Sequence, residues 1–159
     1  MKSSTILVAI VLILAGCESK TDTAPSMQPA EGAPSFLVGT WELIDGTLIE
    51  KGNTTVTDYT KGKKFIKIIN KTHFAFLSHD LDKGKDTATA MYSSGGGTYD
   101  LVDSTYTEHL QFCSAREWEN NDFKFTVTLR NDTLVQKGVE KVESAGVDRV
   151  NIERYVRAK

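Results

Sequence analysis

Most of the chain beyond residue 35 alternates apolar and polar side chains with a period of two, and this alternation constrains the fold more than any other feature. The clearest case is the segment 123–130, FKFTVTLR, in which every second residue is large and apolar. Since successive side chains of a β-strand point to opposite faces of a sheet, the segment predicts a strand with one buried face. A mainly helical domain is therefore excluded.

Short turn signals separate the predicted strands. Asn70-Lys71, Asp103-Ser104 and Asn131-Asp132 each join two such segments, and turns of two residues connect antiparallel neighbours. Closing the resulting meander removes its exposed edges. We therefore predict an all-β fold, an antiparallel meander that closes into a small β-barrel. The predicted strands are 40–44, 64–69, 72–79, 97–102, 105–112, 123–130, 133–137 and 150–156.

The amino-terminal block differs from the rest of the chain. Lys2 precedes an unbroken apolar run, 6–15, which is about half the length that a helix needs to cross a bilayer core. A positive residue followed by a short apolar run is typical of a secretory signal, so we expect residues 1–16 to be a cleaved signal peptide.

The end of this run, Leu14-Ala15-Gly16-Cys17, resembles the lipobox of bacterial lipoproteins. The resemblance implies that Cys17 becomes the first residue of the mature chain and carries acyl groups. Two or three acyl chains give stable anchoring, which predicts attachment to membrane lipid through acylated Cys17 rather than a spanning helix. It also leaves Cys113 as a lone thiol without an intramolecular partner.

Residues 17–35 contain all 3 prolines of the chain and only one large apolar side chain, Met27. Such a segment buries too little surface to offset the entropy of ordering, so we expect a lipidated, disordered tether before a barrel domain at 36–159. The formal net charge is −2, which supplies no basic surplus for a phosphate backbone, and nucleic-acid binding is not expected.

The start of the domain, Phe36-Leu37-Val38-Gly39-Thr40-Trp41, resembles the Gly-x-Trp signature of lipocalins and their calycin relatives. In that superfamily a basic side chain of the last strand packs over the Trp and closes one end of the barrel. The resemblance implies a lipocalin-like barrel with Gly39, Trp41 and Arg154 as its closing residues; Arg157 lies in the same strand.

A more extended resemblance links the chain to lipocalin-like lipoproteins of Bacteroidetes-type bacteria, a family largely without assigned function. It rests on the segments 67–76 (KIINKTHFAF), 95–99 (GGGTY), 106–112 (YTEHLQF) and 152–157 (IERYVR). The family implies the fold but little chemistry, because one barrel carries many functions. We expect a location in the cell envelope, at the outer membrane rather than the inner one.

Several inward positions of the predicted strands form a candidate ligand pocket. Glu108 shares a face with apolar neighbours and therefore needs a partner, for which Arg130, Arg154 or Tyr99 are candidates; a rim position in water is the alternative. An inward Glu108 and Arg154 would form a polar patch that orients an amphipathic headgroup. The candidate pocket residues are Phe74, Phe76, Tyr99, Tyr106, Glu108 and Phe112.

The sequence contains no convincing motif for catalysis, a metal or a cofactor. Gly95-Gly96-Gly97 leads into a strand instead of a helix, which favours a flexible or bulged strand over a phosphate loop. His73, His79 and His109 lie on predicted strands without an evident nucleophile. We therefore expect a non-enzymatic protein without cofactor that binds a small apolar or amphipathic ligand. The alternative is a filled barrel that acts as a protein-interaction or inhibitor module through loop 80–86 or 116–122.

Overall fold

A computed structural model describes residues 36–159, which form nine β-strands and two single 3₁₀ turns. The 3₁₀ turns are Arg116–Trp118 and Glu143–Ala145. The strands are β1 (Gly39–Glu50), β2 (Asn53–Asp58), β3 (Lys63–Ile69), β4 (His73–Asp80), β5 (Tyr92–Val102), β6 (Thr105–Cys113), β7 (Asn121–Arg130), β8 (Thr133–Val142) and β9 (Val147–Arg157).

The strands form one antiparallel sheet that closes on itself. The order is β2-β1-β3-β4-β5-β6-β7-β8-β9, and β9 also pairs with β1 over Trp41 to Ile49. Eight strands thus make the ring, while β2 pairs with the second half of β1 beyond its contact with β3. Eight-stranded up-and-down closure is the architecture of lipocalins, so the predicted all-β, lipocalin-like barrel is confirmed. The ring and its core lie wholly within residues 36–159, which indicates a unit able to fold on its own.

The two ends of the barrel differ. At one end the strands are joined by the tight turns that the sequence predicts, with positive φ at Asp103, Asn131 and Asp132. At the other end two of the connections are long, residues 81–91 and 114–120. We call these the closed end and the mouth.

An arginine covers the core at the closed end. The Arg157 guanidinium lies 3.9 Å from the centre of the Trp41 ring and donates hydrogen bonds to the carbonyls of Val38 and Phe36. Gly39 has φ +144°, and a Cβ there would collide with this guanidinium, which explains the glycine. Gly39, Trp41 and Arg157 therefore lie together at this end of the barrel.

The prediction of Arg154 as the closing residue is wrong. Its side chain is half exposed and forms an ion pair with Asp45 on the outer surface, 3.2 Å apart. The reason is the orientation of β9, whose inward positions are the odd-numbered ones, with Asn151 and Tyr155 buried. The inner face of this strand is largely polar. The apolar alternation of Val150, Ile152 and Val156 therefore follows the outer face.

A β-bulge changes the phase of β6 near the mouth. Gly97 pairs with Leu110 and Gly96 pairs with Phe112, so Gln111 is an extra residue and the orientation shifts by one position. Phe112 consequently points outward and is 68% exposed, whereas Cys113 packs against the core. Gly97 permits this geometry, since a Cβ there would collide with the His109 carbonyl. The glycine run therefore lies within β5, opposite the bulge, and the extra residue belongs to β6.

The strand predictions differ from the structure in number and in length, and some other predictions concern residues outside 36–159. The sequence does not predict strand β2, and β1, β5, β8 and β9 are longer than expected. The signal peptide at 1–16, the tether at 17–35 and the lipidation of Cys17 fall outside the described residues and remain predictions. Within residues 36–159, no helix has the length and apolar character needed to span a membrane.

Candidate functional site

A cavity of about 360 Å³ opens at the mouth of the barrel. This volume lies at the lower end of the range for small-molecule sites. Its upper wall is mainly aromatic and aliphatic and includes Tyr59, Phe65, Phe76, Leu110, Trp118 and Phe123. Below it, the closed half of the barrel is filled by its own side chains, among them the fully buried Trp41, Tyr106 and Tyr155.

The floor of the cavity is a buried ion pair. Lys67 projects inward from β3 and Glu108 from β6, and the Lys67 Nζ donates to Glu108 Oε1 at 2.7 Å. The same ammonium donates to Gln136 Oε1 at 3.0 Å and lies 3.8 Å from Glu153 Oε2. Because the Lys67 side chain is only 3% exposed, these partners replace water around its charge.

Aromatic rings surround the other side of the Lys67 ammonium. It lies 5.5 Å from the centre of the Tyr155 ring, 5.8 Å from Phe74 and 6.0 Å from Tyr106. The negative faces of aromatic rings attract cations, so these rings add to the stabilisation. Lys67 thus separates the apolar closed half from the cavity above.

The pKa values of both members of this ion pair are raised, for different reasons. Burial raises the pKa of the Glu108 carboxyl above its ordinary value, and Lys67 offsets only part of this effect. Burial by itself would lower the pKa of Lys67, but the charges of Glu108 and Glu153 outweigh it, so the pKa of the ammonium is raised. Lys67 therefore stays protonated at neutral pH.

A second polar group lies on the β8–β9 side of the cavity. Glu140 accepts hydrogen bonds from Arg149 Nε and Asn151 Nδ2, both at 2.7 Å. The Arg149 guanidinium also lies 5.2 Å from the centre of the Trp118 ring. Arg149 thus connects Glu140 to the Trp118 side chain at the mouth.

The structure divides the predicted pocket residues into three groups. Phe76 and Glu108 line the cavity. Phe74, Tyr99 and Tyr106 point inward but pack in the closed half; the Tyr99 hydroxyl donates to the Asn70 carbonyl at 2.7 Å. Phe112 does not belong to the pocket, because the bulge in β6 turns it to the outside.

The partner of Glu108 was not identified from the sequence. Glu108 points inward and is buried, so it does not occupy the rim position that was the alternative. Its partner is Lys67 rather than Arg130, Arg154 or Tyr99. A usable signal was present, since Lys67 shares the strand face of Phe65 and Ile69, which an interior position requires. The inward polar patch therefore exists, with Lys67 in the place expected for Arg154.

The histidines do not join this site. His109 lies on the outer face, with Nδ1 2.7 Å from Asp122 Oδ1 and Nε2 2.9 Å from Asp100 Oδ2. His73 and His79 are exposed on β4. Among residues 36–159, no group of three or more His, Cys, Asp or Glu side chains is arranged to hold a metal ion.

No family model matches the chain. Among solved structures, the chain is similar to a mutant of the fluorescent protein UnaG, with a TM-score of 0.38 and 12% identity over 78% of this chain and 97% of that chain. The strand order and the β1–β9 pairing establish the barrel without this similarity.

Proposed function

We propose that this protein is a membrane-anchored, lipocalin-like lipoprotein that binds a small apolar or amphipathic ligand in the cell envelope. The observation that carries the proposal is the cavity at the mouth, which combines apolar walls with a charged floor. This division suits a ligand with an apolar body and a polar head. A barrel filled throughout by its own side chains, the alternative, has no place for such a cavity.

We further propose a binding role rather than a catalytic one. A nucleophilic lysine requires a lowered pKa, whereas the pKa of Lys67 is raised and its ammonium contacts Glu108, Gln136 and Glu153. Glu108 points into the barrel and His109 lies on its outer face, so these two side chains do not share one pocket.

Native mass spectrometry of residues 36–159, after incubation with lipid extract of envelopes, tests the binding proposal. We expect a bound species that is lost when Phe76→Trp narrows the cavity and kept in Leu77→Trp, the adjacent outward position. A folded domain that stays empty at every ligand concentration would contradict the proposal.

Deletion of loop residues 82–86 tests the protein-interaction alternative. Ligand binding should not depend on this loop, so the bound species should persist in the deletion variant.

The anchoring proposal needs a separate experiment on the full chain. Metabolic labelling with palmitate should label the protein and place it in the membrane fraction, at the outer membrane. Cys17→Ser should abolish both, and Cys113→Ser should change neither. Label retained in the Cys17→Ser protein would refute attachment at this residue.

A further inference from the structure

The charged side chains that line the cavity do not balance. Two are cationic, Lys67 and Arg149, and three are carboxylates, Glu108, Glu140 and Glu153. The remaining lining residues are uncharged at neutral pH. The cavity therefore carries one carboxylate more than it has cations.

Glu153 is the carboxylate without a close cation. Glu108 has Lys67 at 2.7 Å and Glu140 has Arg149 at 2.7 Å, but Glu153 Oε2 is 3.8 Å from Lys67. Its short contact is to a neutral group, the Tyr155 hydroxyl, which donates at 2.8 Å. The Glu153 side chain is also more exposed, at 15%, than Glu108 at 8% or Lys67 at 3%. The unbalanced charge thus lies on a side chain that faces the cavity.

Partial burial makes this unbalanced charge unfavourable in the empty barrel. A carboxylate removed from water is stabilised by a proton or a cation, and the gain is larger in a low-dielectric interior than in water. Burial is the main cause of the raised pKa of Glu108, and the charge of Glu153 adds to it. Burial lowers the pKa of Lys67, but the charge of Glu108 and then that of Glu153 outweigh this effect. A cationic group of a ligand would stabilise the Glu153 carboxylate in the same way.

The walls above the floor also favour a cation. Six aromatic side chains line the cavity. Ring faces attract ammonium groups, while their hydrocarbon surface accepts an apolar body. Both lining cations already have carboxylate partners, so an anionic head would have to displace one of them. The six aromatic residues are Tyr59, Phe65, Phe76, Trp118, Phe123 and Phe125.

From these contacts we infer that the cavity selects a cationic amphiphile, in which a protonated amine or quaternary ammonium approaches Glu153 and an apolar body contacts the aromatic wall. The inference rests on the proposed binding function and adds the sign of the ligand's charge. It separates this barrel from one built to hold a fatty-acid carboxylate, which would require a cation free of protein partners.

The test compares three ligands of equal chain length, decylamine, decanol and decanoate, as competitors for a neutral fluorescent probe, N-phenyl-1-naphthylamine, bound to residues 36–159 at neutral pH and below micellar concentrations. We expect decylamine to displace the probe at a concentration about 10-fold or more below that of decanoate, with decanol between them. Equal displacement by the amine and the carboxylate, or a preference for the carboxylate, would overturn the inference while leaving ligand binding intact. Failure of probe and competitors to bind the folded domain would instead overturn the proposed function and the inference with it.

Glu153→Gln identifies the group responsible. It should reduce the preference for decylamine over decanoate to within about 3-fold. Glu143→Gln, an exposed position outside the cavity, is the matched control and should keep the full preference. An unchanged preference in a folded Glu153→Gln domain would refute the role of this carboxylate. The wild-type comparison decides the inference if that variant does not fold.

Discussion

Lys67→Met tests whether the barrel depends on the ion pair at the cavity floor. Methionine has a similar length and no charge, so the substitution keeps most of the packing and leaves Glu108 and Glu153 without the ammonium that lies 2.7 and 3.8 Å away. Removing one partner of a buried pair costs about 3 to 5 kcal/mol, a large share of the roughly 5 to 15 kcal/mol that stabilises a typical domain. For a domain of this size, that corresponds to a fall in the thermal midpoint of about 12 to 20 °C.

Thermal unfolding of residues 36–159, followed by circular dichroism, measures the effect. Lys64→Met provides a matched control, because Lys64 lies on the same strand with its side chain 49% exposed and 3.6 Å from Glu42. Exposed pairs of this kind contribute about 1 kcal/mol or less, so the control should lose no more than about 4 °C.

The pH dependence gives a second, independent test of the same reasoning. Without Lys67, the folded-state pKa of Glu108 rises further above its unfolded value of about 4.5. Folding then takes up protons between these two values, so the stability of the variant falls as the pH rises through this window and is highest below it. Adding Glu108→Gln to Lys67→Met should recover much of the loss. Equal losses in Lys67→Met and Lys64→Met, or a deficit that is the same at about pH 5 and about pH 8, would refute the counter-ion role.

Three further predictions concern the closed end, the outer face and the bulge. Arg157→Leu should lower the free energy of unfolding by about 2 to 4 kcal/mol, because it removes the stack on Trp41 and two carbonyl contacts, whereas Arg154→Leu should cost less than about 1 kcal/mol; urea denaturation distinguishes them. An NMR titration should place the pKa of His109 above 6.5, since its hydrogen bonds to Asp100 and Asp122 favour the charged ring, and Asp122→Asn should lower it. Gly97→Ala should destabilise the domain more than Gly62→Ala in thermal unfolding, because a Cβ at Gly97 collides with the His109 carbonyl. At Gly62 a Cβ meets open space, so the cost there is the backbone strain of φ +70° alone.

The parts of the fold that depend on local sequence were predictable. Alternation over 123–130 and the turn residues Asn131-Asp132 act within a few residues of each other, and both define the β7–β8 hairpin as it stands in the structure. Closure by Gly39 and Trp41 followed from a resemblance, and the structure supplies its reason in the space that Arg157 occupies.

The interior polar groups were harder to predict, because they are paired across the barrel. Lys67 and Glu108 are 41 residues apart, and their contact depends on the register of the intervening strands. The alternation of polar and apolar residues also predicted the wrong inward face for β9. Its inner face carries Arg149, Asn151 and Glu153, while its outer face is largely apolar. The orientation of Phe112 depends on one extra residue in β6 relative to β5. The sequence of β6 alone does not show that this strand has an extra residue.

Both ends of the described chain lie at the closed end of the barrel. Arg157 donates to the carbonyl of Phe36, and the Ala158 amide donates to the Thr40 carbonyl at 3.0 Å. A domain held from either end, by a surface, a fused protein or an affinity tag, therefore has its mouth at the end farthest from the attachment. Immobilised protein should bind cavity ligands as well as protein in solution does, and a partner fused at either end should leave the passage between solvent and Glu153 unobstructed.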